Sequence, residues 1–236
     1  MISEKTMVEI QALGIKIDHD SSFDGASTGN QHLFRVSRII KYLVQETGAR
    51  DDIATAAGWL HDTALPTGDD YDPNKNLVVI QNLLKNIDMS EEDRKAVSVC
   101  VATHEGTGLR LSLEAKIIHD ADVLEKVGML GVIRHTWKLT NFSKMNSSTI
   151  TVENAQEVLD HIDWRIAQLE LPEAQYLAST LSIDVSLERA LLLIRAISPL
   201  ASRGVITERI AEEIQPLLTD EESEALSLQL SQEYLD

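Results

Sequence analysis

Ala57-Gly58-Trp59-Leu60-His61-Asp62 sets an imidazole and a carboxylate side by side at the end of a short apolar run. Ile53, Ala57, Leu60, His61 and Ala64 recur at helical spacing, so His61 shares the buried face of a helix. The small alanines let a neighbouring helix approach closely. Pro66 is expected to stop this helix just past the His-Asp pair, and Asp51 or Asp52 to cap its start. A neutral ring nitrogen beside a hard anionic oxygen is what a divalent cation takes, but one such dipeptide arises often by chance.

Working outward, the same period recurs in both directions. Upstream, a possible short amphipathic helix over residues 5–17 precedes a polar, glycine-bearing loop, Ser21 to Asn30. Leu33, Val36, Ile40 and Leu43 then form a helical stripe that Gly48 closes, and His32 faces inward near its start. Downstream, Asp69, Asp70 and Asp72 read as loop acids, and Asp72-Pro73 opens a helix striped by Leu77, Ile80 and Leu84. Ser90-Glu91-Glu92-Asp93 resembles a capping box, after which Val97, Cys100, Val101 and His104 fall at i, i+3, i+4 and i+7. Gly106 and Gly108 break that helix, and Ser112 caps one that carries Asp122. Further helices are expected from Thr151 to Leu169, from Pro172, and over Leu187 to Ile197. No stretch alternates as a strand would, so the fold class is all-α. The expected division is a metal-binding helical domain over residues 1–146 and a helical C-terminal extension over 147–236.

Composition limits the partners. A chain of 236 residues with formal net charge -17 repels a phosphate backbone and an anionic membrane, so no nucleic acid polymer is expected. A small anionic substrate stays open, because a metal and a few arginines neutralise it locally. Cys100 is the one cysteine, so no intrachain disulfide forms. Met1 to Ile17 lacks a signal-peptide pattern, and no apolar run reaches the roughly eighteen residues of a membrane span. A cytoplasmic location is the expectation, and a homo-oligomer is compatible with the apolar stripes of the C-terminal helices.

Four helices thus each offer an inward polar group: His32, His61 with Asp62, His104, and Asp122. Helical bundles build metal sites from side chains that converge this way. Burying an unpaired carboxylate costs several kcal/mol, and a bound cation offsets that cost. Two imidazoles with two carboxylates suit Mn, Fe, Co, Ni or Zn better than Ca, and leave Mg open. His119, His135 and His161 read as ordinary histidines, and His19 as solvated.

The order His32, His61-Asp62, Asp122 resembles the H…HD…D pattern of the HD-domain metal-dependent phosphohydrolases. Gln31-His32-Leu33-Phe34-Arg35-Val36 is similar to that family's opening helix, and Ala57 to Asp62 to its second. His104-Glu105-Gly106 is similar to a His-Glu-Gly turn in many members, and Ala121-Asp122-Val123-Leu124-Glu125 to the last motif. The resemblance spans roughly residues 28–140. It implies an all-α core and one divalent ion held by His32, His61, Asp62 and Asp122. Members with two metals usually carry another histidine after the HD pair, where this chain has Asn74-Lys75-Asn76. Members acting on cyclic dinucleotides continue His-Asp-Ile-Gly-Lys, where this chain has His61-Asp62-Thr63-Ala64-Leu65.

The activity this implies is hydrolysis of a phosphoester or phosphoanhydride in a small phosphorylated substrate by a metal-activated water. Asp62 would ligate the ion and orient or deprotonate the water; His104 would bind substrate oxygen, protonate a leaving group or ligate a second ion. Arg35 and Arg134 are the candidates for holding phosphate, with solvated helix arginines as their other reading. The alternative function is a catalytically silent, metal-stabilised binding or regulatory module, with the C-terminal helices as an interaction surface.

Overall fold

The computed structural model describes residues 1–22, 31–106, 108–142, 145–182 and 185–231. It is 77% helical, with twelve helices and no strand among the described residues. The chain falls into two compact units, Met1–Asp122 and Val123–Asp236. No helix is long and apolar enough to cross a membrane.

The first unit is organised around α3 (Asp51–Leu60), against which α1 (Glu4–Ser21), α2 (His32–Thr47) and α5 (Glu91–Thr103) pack. Its Ile53, Ala54, Ala56, Ala57, Gly58, Trp59 and Leu60 are all buried. Small residues make that crowding feasible. A methyl on Gly14 of α1 would lie 1.9 Å from the Trp59 carbonyl oxygen, so α1 and α3 touch backbone to backbone. A methyl on Gly58 would meet the Ile40 side chain of α2 at 2.2 Å. The apolar stripe of α2 is buried as its spacing requires, and Gly48 ends the helix in the left-handed conformation at φ 73°.

Two details of α3 differ from the sequence reading. Its N-cap is Arg50, with no side-chain cap; Asp51 and Asp52 sit in the first turn instead. There Asp52 accepts the Ile2 N–H and the Arg50 guanidinium, which also reaches Asp93 at 2.6 Å. Nor does Pro66 stop the chain at once. A 3-10 helix, His61–Thr67, contains it and ends at Gly68, whose φ is 72°. The Thr63 and Thr67 hydroxyls bond back to the Leu60 and Ala64 carbonyls within this short helix.

Asp72 caps α4 (Pro73–Leu84) by accepting from the Asn74 and Lys75 amides, with Pro73 at the first helical position. Ser90 caps α5 by accepting from the Asp93 amide. Arg94 satisfies the carbonyls of Leu84 and Ile87, which tie the end of α4 to α5. Ser112 accepts from Ala115 at the start of α6 (Leu113–Leu124). The expected loop over Ser21 to Asn30 lies outside the described residues from position 23 onward.

The second unit is organised around α7 (Gly128–Phe142), with α8 (Val152–Ile166), α10 (Leu187–Ala201), α11 (Thr207–Ile214) and α12 (Asp220–Ser231) against it. A shorter helix, α9 (Pro172–Leu181), packs on α12. Gly128 needs its φ of 60°, and a methyl there would meet the Leu181 carbonyl oxygen at 2.5 Å. Gln229 of α12 accepts the Leu130 amide and donates to the Val127 carbonyl, which binds the last helix to that turn. Thr151 and Asn154 complete a capping box on α8.

Candidate metal centre

Three helical segments of the first unit deliver polar atoms to one buried point. His32 is the first residue of α2, His61 and Asp62 open the 3-10 helix after α3, and Asp122 lies two residues before α6 ends. His32 Nε2 stands 3.1 Å from His61 Nε2 and 3.3 Å from both an Asp62 and an Asp122 carboxylate oxygen. His61 Nε2 stands 3.5 Å from the same two carboxylates. His61 is fully buried, and His32 and Asp122 nearly so.

The protonation pattern of His61 is fixed locally. Its Nδ1 lies 2.8 Å from the Gly58 carbonyl, which only accepts, so Nδ1 carries the proton and Nε2 presents a lone pair to the cluster. Burial presses His61 toward neutrality, but Asp62 and Asp122 outweigh it and raise its pKa. Burial alone would raise Asp62; the His61 and His32 rings win and hold it well below the carboxylate range. Two rings and two carboxylates crowded at 3.1 to 3.5 Å need positive charge among them, which shared protons or a cation supplies. That donor set fits a divalent cation of the mid transition row, or Mg.

A second group adjoins the first. Asp62, Asp70 and His104 bring ligand-type atoms within 4.8 Å of one another. His104 is fully buried as the C-cap of α5, and its Nδ1 donates to the Val101 carbonyl at 2.7 Å. Its bare Nε2 faces an Asp70 oxygen at 3.8 Å. Below it, His119 of α6 donates from Nδ1 to the His104 carbonyl at 2.7 Å, so this histidine supports the cluster from behind.

Asp70 is the functional candidate that the spacing of residues does not reveal. It reads as one of three loop acids, yet it is buried and its pKa is raised to about 6. Burial is the main cause, opposed by His104 and reinforced by the nearby Asp62 charge. Asn76 holds it: the Nδ2 amide of this buried residue reaches the Asp70 carbonyl, its Oδ1 and the Val101 carbonyl at 3.3 to 3.4 Å. The one available signal was Asn76 itself, a polar residue one turn before the buried Ile80 on α4.

The two arginines differ. Arg35 is buried on α2, one turn from His32. Arg134 belongs to the second unit, where it pairs with the buried Glu125 at 2.8 Å. The remaining histidines also separate. His19 is exposed beside Asp20. His135 and His161 stack with ring centroids 3.7 Å apart and planes 4° from parallel. Burial lowers their pKa values to about 3 and about 4, with Arg165 and Lys138 adding, so both rings are neutral at pH 7.

Comparison with known proteins agrees with this architecture. A crystal structure of a Lactobacillus plantarum protein is similar at TM-score 0.59 and 22% identity, covering 76% of this chain and 91% of that one. The crystal structure of Bacillus subtilis YpgQ is similar at TM-score 0.55 and 20% identity, covering 84% of this chain and 95% of that one. A structure of YpgQ in complex with ADP is similar at TM-score 0.53 and 19% identity, covering 84% and 97%. At these identities the likeness is one of fold. No curated protein matches the chain. The family model for the HD domain matches residues 30–126, a span that contains His32, His61, Asp62, His104 and Asp122. Across residues 30–126, this chain carries an HD domain.

Proposed function

We propose that the protein is a metal-dependent phosphohydrolase that cleaves a phosphoester or phosphoanhydride in a small phosphorylated molecule. The observation that carries this reading is the meeting of the buried His32 and His61 rings with each other and with the Asp62 and Asp122 carboxylates at 3.1 to 3.5 Å, with His32, His61 and Asp122 offering ligand atoms within 4.8 Å of one another. These four would hold one divalent ion, which when bound supplies Lewis acidity and an acidified water.

The chain's own groups then divide the remaining work. Asp62 is the least buried of the four, with its side chain 15% exposed, so it faces the approach of water and substrate. It orients the attacking water and accepts its proton. Asp70 and His104 form the complementary pair. Asp70, whose carboxyl pKa burial raises to about 6, can carry a proton to the departing oxygen, and His104 Nε2 stands 3.8 Å from the Asp70 carboxylate. Arg35, one turn from His32, is the guanidinium of the first unit assigned to a phosphoryl oxygen. The similar YpgQ structure with ADP supports a phosphorylated small molecule as the ligand class.

The test is a release assay on metal-stripped protein reloaded singly with Mn, Mg, Co, Ni or Zn. Substrates are nucleoside mono-, di- and triphosphates and 4-nitrophenyl phosphate. Phosphate or pyrophosphate release that appears only with an added ion is the expected result. No release with any ion, although the ion binds, contradicts the hydrolase reading and leaves a metal-stabilised binding module.

A further inference from the structure

We infer that Asn76 is a positioning residue of the site: from α4 it ties Asp70 and His104 into one fixed arrangement, and turnover depends on it through Asp70. The inference rests on the hydrolase reading above and adds to it a residue that acts through its neighbours.

Asn76 stands where an apolar residue belongs. Asn76, Ile80 and Leu84 fall at i, i+4 and i+8 of α4, and all three are fully buried. Asparagine is a weaker helix former than leucine. Its Oδ1 is also buried here, with no partner among the described residues. An apolar side chain of the same shape would carry neither cost. What asparagine supplies in return is a pair of amide N–H donors.

Those donors face three oxygens. Nδ2 lies 3.4 Å from the Asp70 carbonyl, 3.4 Å from Asp70 Oδ1 and 3.3 Å from the Val101 carbonyl. Carbonyl oxygens only accept, so the nitrogen end of the amide is the one turned to them. The Val101 carbonyl is the informative partner, because the same oxygen accepts His104 Nδ1 at 2.7 Å. One carbonyl of α5 thus receives both the amide that grips Asp70 and the ring that faces Asp70. His104 Nε2, buried and with no hydrogen-bond partner among the described residues, is left 3.8 Å from Asp70 Oδ1. Asp70 lies between helices, after the 3-10 helix ends at Gly68 and before α4 begins at Pro73, so no helical ladder fixes its backbone. Asn76 holds that backbone and the carboxylate together and refers both to α5. Without the amide, Asp70 is free to shift against His104.

The test is a double-mutant cycle on the ion-loaded protein. It compares Asn76→Leu, Asp70→Asn and the two combined, on the nucleotide or phosphate ester that the parent turns over fastest. Leucine keeps the branched shape and removes both donors. Asn76→Leu is expected to lower kcat by about 10²-fold with KM within about twofold, the scale of a roughly 1 Å misplacement near the chemistry. Ion content and helical circular dichroism should match the parent, since His32, His61, Asp62 and Asp122 are untouched. Asp70→Asn alone should lose roughly 10²–10⁴-fold in kcat. The combined variant should lose no more than about twofold beyond Asp70→Asn, because residues that act through one another are not additive. Single losses that multiply in the combined variant, a parental kcat in Asn76→Leu, or a loss confined to KM overturns the positioning role alone. Should Asn76→Leu fail to fold, Asn76→Ser, which keeps a single donor, takes its place in the cycle with the same readings. A parent that releases no phosphate or pyrophosphate from any substrate with any ion overturns the hydrolase reading and the positioning role with it.

Discussion

Asp62→Asn is expected to lower kcat by roughly 10²–10⁴-fold while the protein stays folded, the usual scale for losing a positioned acid-base group. The substitution keeps the shape of the side chain and one oxygen. It removes the charge that holds the His61 and His32 rings in their present balance, and it removes the ability to accept a proton from water. Its Nδ2 would also point a donor at a cluster built of lone pairs, where His32 Nε2 lies 3.3 Å from an Asp62 oxygen. Loss of positioning alone would show as a raised KM. Loss of the base shows in kcat. A variant that keeps more than a tenth of parental kcat would remove Asp62 from the role assigned to it.

Gly14→Ala carries the largest expected effect on stability. In an ordinary helix this change stabilises by up to ~1 kcal/mol, because alanine is the better helix former. Here the methyl would lie 1.9 Å from the Trp59 carbonyl oxygen, inside any allowed contact. Backbone cannot swing aside as a side chain can, so α1 must separate from α3. Overpacking of this kind costs typically 1–3 kcal/mol, which exceeds the propensity gain. For a chain of this size that corresponds to a fall in Tm of roughly 2–4 °C per kcal/mol, read by thermal melting. The shift should also weaken activity, because Trp59 lies two residues before His61. An unchanged or raised Tm would mean that α1 does not pack on α3 as described.

Most of the helices are legible in the sequence because their apolar stripes repeat at a period that only a helix satisfies. Gly48, Asp72-Pro73 and Ser90 mark boundaries by local chemistry, and the chain obeys them. Arg50 displaces the expected aspartate cap because Asp52 is drawn to the Ile2 amide and the Arg50 guanidinium, contacts that span fifty residues and two. The meeting of His32, His61, Asp62 and Asp122 was legible only as a joint pattern, since each faces inward on its own helix. Asp70 was not legible. A loop acid has no period, and its burial depends on Asn76 and on the approach of α5, which no local spacing encodes. The Arg134–Glu125 pair and the stack of His135 on His161 were hidden likewise, because each depends on how separate segments of the second unit pack.

The central claim is that one divalent ion sits among His32, His61, Asp62 and Asp122. Metal content of the purified protein, measured by plasma mass spectrometry for the parent and for Asp122→Ala after equilibration with the same ion, tests it most directly. The account predicts about one ion per parent chain, as a structural set of four ligands holds, and its loss from the variant with the helical circular dichroism retained. Equal occupancy in parent and variant, or a parent that takes up no ion, would contradict it.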